Sequence, residues 1–222
     1  MIALLALAAC TGGDQFTYSG YSMGEFFPFD GQRTWTFTNA DASVANTVVA
    51  TLNSEPEVPE TGLFIFNVDY TLGCVDEATD TDTPACTGEG DPFRIANMRW
   101  SSDTARGVQI HSFTDAAGTA TTFDPPILLA DKRGGVSNSW TTATNDGTYV
   151  STFSSIGDCP VLMTVDWTDC IRIHLDDDGD EATPVTKPLH GDWYAVAGFN
   201  VIGFQLTGDT GRWELSNTTF TN

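Results

Sequence analysis

Apolar residues recur at every second position along most of this chain. Trp35 and Phe37 alternate with Thr34, Thr36 and Thr38. The same spacing joins Phe64, Phe66, Val68 and Tyr70, then Val161, Met163, Val165 and Trp167. It returns at Ile171, Ile173 and Leu175, at Ile202, Phe204 and Leu206, and at Trp213 and Leu215. A period of two places each set on one face of a β-strand. The threonines between them are β-branched and suit the solvated face. After residue 15 no helical period is sustained. Turn-forming pairs punctuate the runs at Asp30-Gly31, Gly134-Gly135, Asp146-Gly147, Asp178-Gly179 and Gly208-Asp209. Residues 53–61, 74–92 and 176–190 are rich in acids and proline and read as loops. The pattern predicts one antiparallel all-β domain, built as a curved sheet or half-barrel or as a β-sandwich.

The first ten residues, MIALLALAAC, break this pattern. Nine consecutive apolar residues are too few to span a bilayer, which needs about 20, but they suit the apolar region of a signal peptide. Leu7-Ala8-Ala9-Cys10 resembles the bacterial lipobox, in which small residues fit the signal peptidase and the cysteine thiol is diacylated. No Lys or Arg precedes the run, a departure from the usual basic start. Thr11-Gly12-Gly13-Asp14 is small and polar and suits a tether. The expected organisation is a signal segment over 1–9, a lipidated Cys10 and tether over 10–20, and a β-domain over 21–222.

Cysteine parity agrees with this division. There are five cysteines: Cys10, Cys74, Cys86, Cys159 and Cys170. With Cys10 acylated, the remaining four form two disulfides in any of three connectivities. The local pairs Cys74–Cys86 and Cys159–Cys170 are the expected ones. Each closes a short loop, contributing about 3 kcal/mol through the unfolded chain. No pair has the C-x₂₋₄-C spacing of a zinc site.

Charge narrows the partners. The 222 residues carry 9 basic and 30 acidic side chains, a formal charge of −21. Phosphate backbones and anionic headgroups are repelled by such a chain, which argues against nucleic acid as a partner. The membrane contact is therefore expected through a lipid on Cys10, with an unidentified protein or small molecule as any further partner.

Four segments together resemble a group of uncharacterised bacterial envelope lipoproteins. Phe26-Phe27-Pro28-Phe29-Asp30-Gly31-Gln32-Arg33-Thr34-Trp35-Thr36-Phe37 resembles their "YFPL-x-x-G-x-x-WTY" opening. Pro125-Pro126 followed by Gly134-Gly135-Val136-Ser137-Asn138-Ser139-Trp140 is similar to their "pP…G-x-sW". Val165-Asp166-Trp167-Thr168-Asp169-Cys170-Ile171-Arg172-Ile173 is similar to "VPAGtFdC-x-x-v" but lacks the Pro-Ala-Gly turn. Trp193 to Ile202 is similar to "WYApGVGlV", with Ala197 in place of the proline. The resemblance implies an all-β envelope lipoprotein with a curved sheet and no known catalytic residues. Thr11 after Cys10, where Asp would favour inner-membrane retention, favours the outer membrane by the same resemblance.

Three sets of residues offer candidate chemistry. Gly20-Tyr21-Ser22-Met23-Gly24 fits the G-x-S-x-G nucleophile elbow, which operates between a strand and a helix. Pro28 blocks a following helix, and the chain lacks an α/β alternation, so this match is read as a turn. The histidines His111, His174 and His190 lie beside no obvious nucleophile. Asp176, Asp178 and Asp180, with Gly179 between them, offer the hard oxygens and tight turn of a calcium loop. The full EF-hand spacing is not met, and Asp192 or Asp169 would have to complete the half-site. The expected role is therefore a non-enzymatic structural or binding one. A carrier sheltering a lipid or other apolar ligand is the alternative, and a hydrolase comes after both.

Overall fold

The computed structural model describes residues 26–27, 32–41, 46–53, 63–74, 93–103, 105–132, 139–156, 170–177, 189–197, 199–209 and 211–221. Its elements are twelve strands: β1 (Gln32–Asn39), β2 (Asn46–Leu52), β3 (Phe66–Cys74), β4 (Ile95–Asp103), β5 (Gly107–Asp115), β6 (Ala120–Ala130), β7 (Ser139–Thr144), β8 (Gly147–Ile156), β9 (Cys170–Asp177), β10 (Gly191–Val196), β11 (Asn200–Leu206) and β12 (Trp213–Thr221). They form one antiparallel sheet in the order β6-β5-β4-β3-β2-β1-β12-β11-β10-β9-β8-β7. The chain is thus an up-and-down meander in two halves, joined where β1 pairs with β12 from Gln32↔Thr221 to Asn39↔Trp213.

The sheet curls until β6 and β7, its two edges, meet along a seam. Side chains and one backbone bond, Asn145 N to the Asp124 carbonyl at 3.0 Å, close this seam in place of a backbone ladder. Leu128 N donates to Thr142 Oγ1 at 3.1 Å, and Ser151 Oγ donates to the Leu128 carbonyl at 2.9 Å. At the turn end, Asn145 accepts from Asp124 N at 2.8 Å and donates to the Thr122 carbonyl at 3.0 Å. Both edges thereby find partners for groups that would otherwise invite a foreign strand. The expectation of an all-β domain with a curved antiparallel sheet holds, and closure goes further than a half-barrel.

Alternation decides which side chains face inward. In β9, Ile171, Ile173 and Leu175 are buried, while Arg172, His174 and Asp176 face out. In β1, Trp35 and Phe37 are buried, and the outward Thr34 and Thr36 carbonyls accept from Thr218 Oγ1 and Ser216 Oγ of β12. The outer wall is polar and the interior apolar, the inverse of a membrane-spanning barrel. One expected position is corrected: Phe64 does not share the inward face of Val68. It is 53% exposed, ahead of the start of β3, while Ile65 takes the buried place and the alternation changes phase.

Twelve strands spaced about 4.8 Å apart would make a round barrel roughly 18 Å across even without tilt, too wide for side chains to fill. The barrel is flattened instead. Trp100 of β4 and Trp193 of β10 come from opposite walls, yet their rings lie 5.8 Å apart, edge to face. Phe204 is the hub of the interior. Its ring centre lies 5.0 Å from Phe37, 5.3 Å from Phe93, 5.6 Å from Trp193 and 6.1 Å from Trp213.

Candidate functional site

Several residues singled out from the sequence (Cys10, Ser22, Cys86, Cys159, Asp178 and Asp180) lie outside the described residues, as does the run from Val161 to Trp167. Cys74 ends β3 opposite Asn46. Cys170 opens β9, is fully buried and is disulfide-bonded, but its partner is not among the described side chains. Asp176 lies near the end of β9, and Asp192 lies one strand away on β10.

Register assembles a charged cluster on the outer wall. Antiparallel pairing sets His174 opposite Asp192 and Arg172 opposite Tyr194. The His174 Nδ1 lies 2.8 Å from Asp192 Oδ1, and Arg172 reaches the other oxygen of that carboxylate at 3.9 Å. Asp176 stands between two imidazoles, 3.6 Å from His174 Nε2 and 3.6 Å from His190 Nδ1. On the far side of β11, Arg212 Nε donates to Glu214 Oε1 at 2.8 Å, and its guanidinium lies 5.7 Å from the Tyr194 ring centre. Gly203 separates Tyr194 from Glu214 in the register and leaves room for this arginine.

The pKa directions follow from these contacts. The hydrogen bond with Asp192 raises His174, and the charges of Asp192 and Asp176 add to it against an opposing effect of burial. Burial alone would raise Asp192, but its hydrogen bond with His174 and the charges of His174 and Arg172 hold it below the ordinary carboxylate value. Burial, then the charge of Asp192, raises Tyr194.

A group whose folded pKa is raised stabilises the fold fully below its unfolded pKa and loses that contribution as pH rises through the folded value. His174 has an unfolded value of about 6.5. Wild type is therefore expected to lose thermal stability between pH 6 and pH 8 by more than His174→Gln does. Melting temperatures across that range check this, and equal slopes would contradict it.

The hydroxyls of the outer cluster are engaged, Ser154 Oγ donating to the Arg172 carbonyl at 3.4 Å and Tyr194 to Asp192 Oδ2 at 3.5 Å. Its cations face carboxylates of the same cluster, and Ser154 Oγ accepts from Arg172 Nε at 3.1 Å. It ties β8, β9 and β10 together. A second pair, unforeseen from the sequence, joins His111 Nε2 of β5 to Ser101 Oγ of β4 at 2.8 Å. Catalysis would need an exposed hydroxyl and a base that gains a proton near neutrality. Ser101 is fully buried, and burial followed by the Arg99 charge pushes His111 down to about 4. This pair packs the wall between β4 and β5.

Among the described residues, no three of His, Cys, Asp and Glu converge as a metal site. Asp176, the one described member of the expected calcium loop, faces histidine nitrogens, which calcium does not use. Inside the barrel lies an apolar pocket lined by Trp35, Phe37, Ala50, Val68, Tyr70, Trp100, Asn200 and Val201. It has room for about 20 Å³, roughly one water. Comparison with family models, with curated proteins and with solved structures finds no match to this chain.

Proposed function

We propose that this chain is a lipid-anchored protein of the bacterial cell envelope, held to the outer membrane through Cys10, whose barrel has a non-enzymatic structural or binding role. The observation that carries this reading is the distribution of polarity. The wall presents Thr34, Thr36, Thr38, Thr47, Thr51, Asp69, Arg172 and His174, while Trp, Phe and Ile fill the interior. Such a wall belongs in water, and a body of this kind needs a separate device to stay at a membrane. Leu7-Ala8-Ala9-Cys10 supplies one. Two acyl chains give stable anchoring by burial of their methylenes, with no help from surface charge. That suits a chain of charge −21, which headgroups repel.

The role is read as non-enzymatic because, among the described histidine contacts, Ser101 beside His111 is buried and His174 and His190 face carboxylates. The interior is packed closely enough that a long-chain lipid does not fit it at rest, which weighs against a carrier of such lipids.

Fractionation of producing cells tests the anchor. Wild type is expected in the membrane fraction and released by detergent, and Cys10→Ala in the soluble fraction. Equal partition of the two would overturn the proposal.

A further inference from the structure

The seam leaves part of β7 open. A strand lying in the plane of the sheet beside β7 would stand about 10 Å from β8 and about 14 Å from β9. β6 instead brings Cα atoms within 8 Å of both. It therefore passes beneath the rim of β7 rather than alongside it. The bonds at Leu128 agree. Its carbonyl accepts from Ser151 of β8, a buried residue, and its N–H donates to the Thr142 side chain rather than to the β7 backbone.

The β7–β8 hairpin determines which backbone groups this leaves open. Its two-residue turn, Asn145-Asp146, is closed by Thr144 opposite Gly147. A turn of that length makes the closing pair a hydrogen-bonded one, and bonded pairs then alternate along the ladder. Trp140, Thr142 and Thr144 thus turn their N–H and C=O groups toward β8, while Ser139, Thr141 and Ala143 turn theirs away. These last three are exposed, and no ladder joins them to β6. Neither Thr141 nor Ala143 makes a hydrogen bond across the seam.

Edge strands that stay single are protected by lysine, proline, charge or a bulge. β6 has Asp124, Pro125 and Pro126. β7 has none of these devices: Ser139-Trp140-Thr141-Thr142-Ala143-Thr144 carries no charge and no proline, and its register with β8 is unbroken. β8 is also uncharged, and the one acid of the hairpin, Asp146, sits at its turn. In a chain of charge −21, this is a place where a second copy approaches without setting acid against acid.

We propose that β7 is a self-association edge, on which two copies of the chain pair β7 antiparallel to β7 about a two-fold axis. Such a pairing is self-complementary by symmetry. The outward side chains that meet across it, Ser139, Thr141 and Ala143, are small, and threonines pair favourably across strands. A pairing of six-residue strands buries less than about 1,200 Å², so the dimer is weak, with a Kd of about 10–100 µM. Repulsion between two chains of −21 opposes it at low salt, and 1 M NaCl, with a Debye length of about 3 Å, removes that repulsion. Acylation of Cys10 is not required.

Sedimentation equilibrium tests this on the full-length chain carrying Cys10→Ala, which leaves no acyl group to drive association. This parent is expected to shift from monomer toward dimer between about 5 and 300 µM, with a lower Kd in 1 M than in about 0.05 M NaCl. Thr141→Pro deletes an N–H that faces the second copy and none that β8 uses, and is expected to stay monomeric with its circular dichroism unchanged. Thr141→Asp sets like charges across the axis from an exposed position and is expected to raise Kd at least about 10-fold. Thr152→Asp, on the exposed outer face of β8, places the same charge away from the edge and is expected to leave Kd within about 2-fold. A parent that stays monomeric to about 300 µM in 1 M NaCl would overturn the proposal and leave the edge to a strand of another protein. Dimerisation that survives Thr141→Asp, or Thr141→Pro in its folded form, would overturn it by placing the contact elsewhere.

Discussion

Replacing Phe204 with alanine is expected to destabilise the barrel by about 3–5 kcal/mol, the usual cost of a Phe→Ala cavity in a packed interior. Phe204 is fully buried and contacts rings from β1, β10, β12 and the segment before β4. The residue therefore bridges both walls of the flattened barrel, and its removal leaves a hole that neither wall can close alone. Since domains of this size are stable by about 5–15 kcal/mol, the loss takes a large share. Urea unfolding should show a lower midpoint at an unchanged slope. Thr51→Ala, on the exposed outer face of β2, is the control and should shift the midpoint little. A small effect of Phe204→Ala would mean that the interior is not packed around this ring.

Gly191→Ala is the second large expectation. Gly191 opens β10 at a φ of 138° and lies between Leu175 of β9 and Leu206 of β11. A Cβ there would stand 2.2 Å from the Gln205 carbonyl oxygen and 2.6 Å from the Leu206 Cα. These are backbone atoms of a paired strand, so the clash is relieved only by displacing the ladder. Backbone strain and overpacking each cost about 1–3 kcal/mol, which together predict a loss of roughly 2–4 kcal/mol. Gly118 separates the two causes. Its φ of 86° is also left-handed, but nothing lies within 4 Å of its Cβ position. Gly118→Ala should therefore lose only about 1–2 kcal/mol. Equal losses at the two sites would remove the steric argument for Gly191.

Much of the fold is legible where alternation is clean. Trp35 and Phe37, the three apolar residues of β9, and Trp213 with Leu215 all face inward as their spacing predicts. Bulges hide the pattern elsewhere. β4 shifts register between Ile95 and Asn97 and again between Arg99 and Trp100, so its buried residues do not keep one phase. In β11, Ile202, Phe204 and Leu206 face inward as their spacing predicts, but Asn200, Val201 and Gly203 are buried as well, which the alternation does not mark. Closure itself leaves no local trace, since β1 finds β12 across nearly the whole chain and side chains sew the β6–β7 seam. The outer cluster shows the same limit. The exposed position of His174 follows from its strand, but its contact with Asp192 exists only because β9 and β10 pair in one register. Among 30 acids, nothing in the sequence marks Asp192 or Glu214 as the partners of cations.

The ends of the barrel add one consequence. β1 begins and β12 ends beside each other, at the end that also carries the β10–β11 turn. The chain enters β1 at that end, after Phe26 and Phe27 have packed into the core. The β9–β10 connection, with Asp178, Asp180 and Glu181, joins the strands at the opposite end. A lipid anchor would bring the first end toward the bilayer.

Intact mass of protein extracted from membranes tests the anchoring claim most directly. The expected species lacks residues 1–9 and begins at a Cys10 carrying a diacylglyceryl group. A membrane-extracted chain that retains residues 1–9 with an unmodified Cys10 would contradict it.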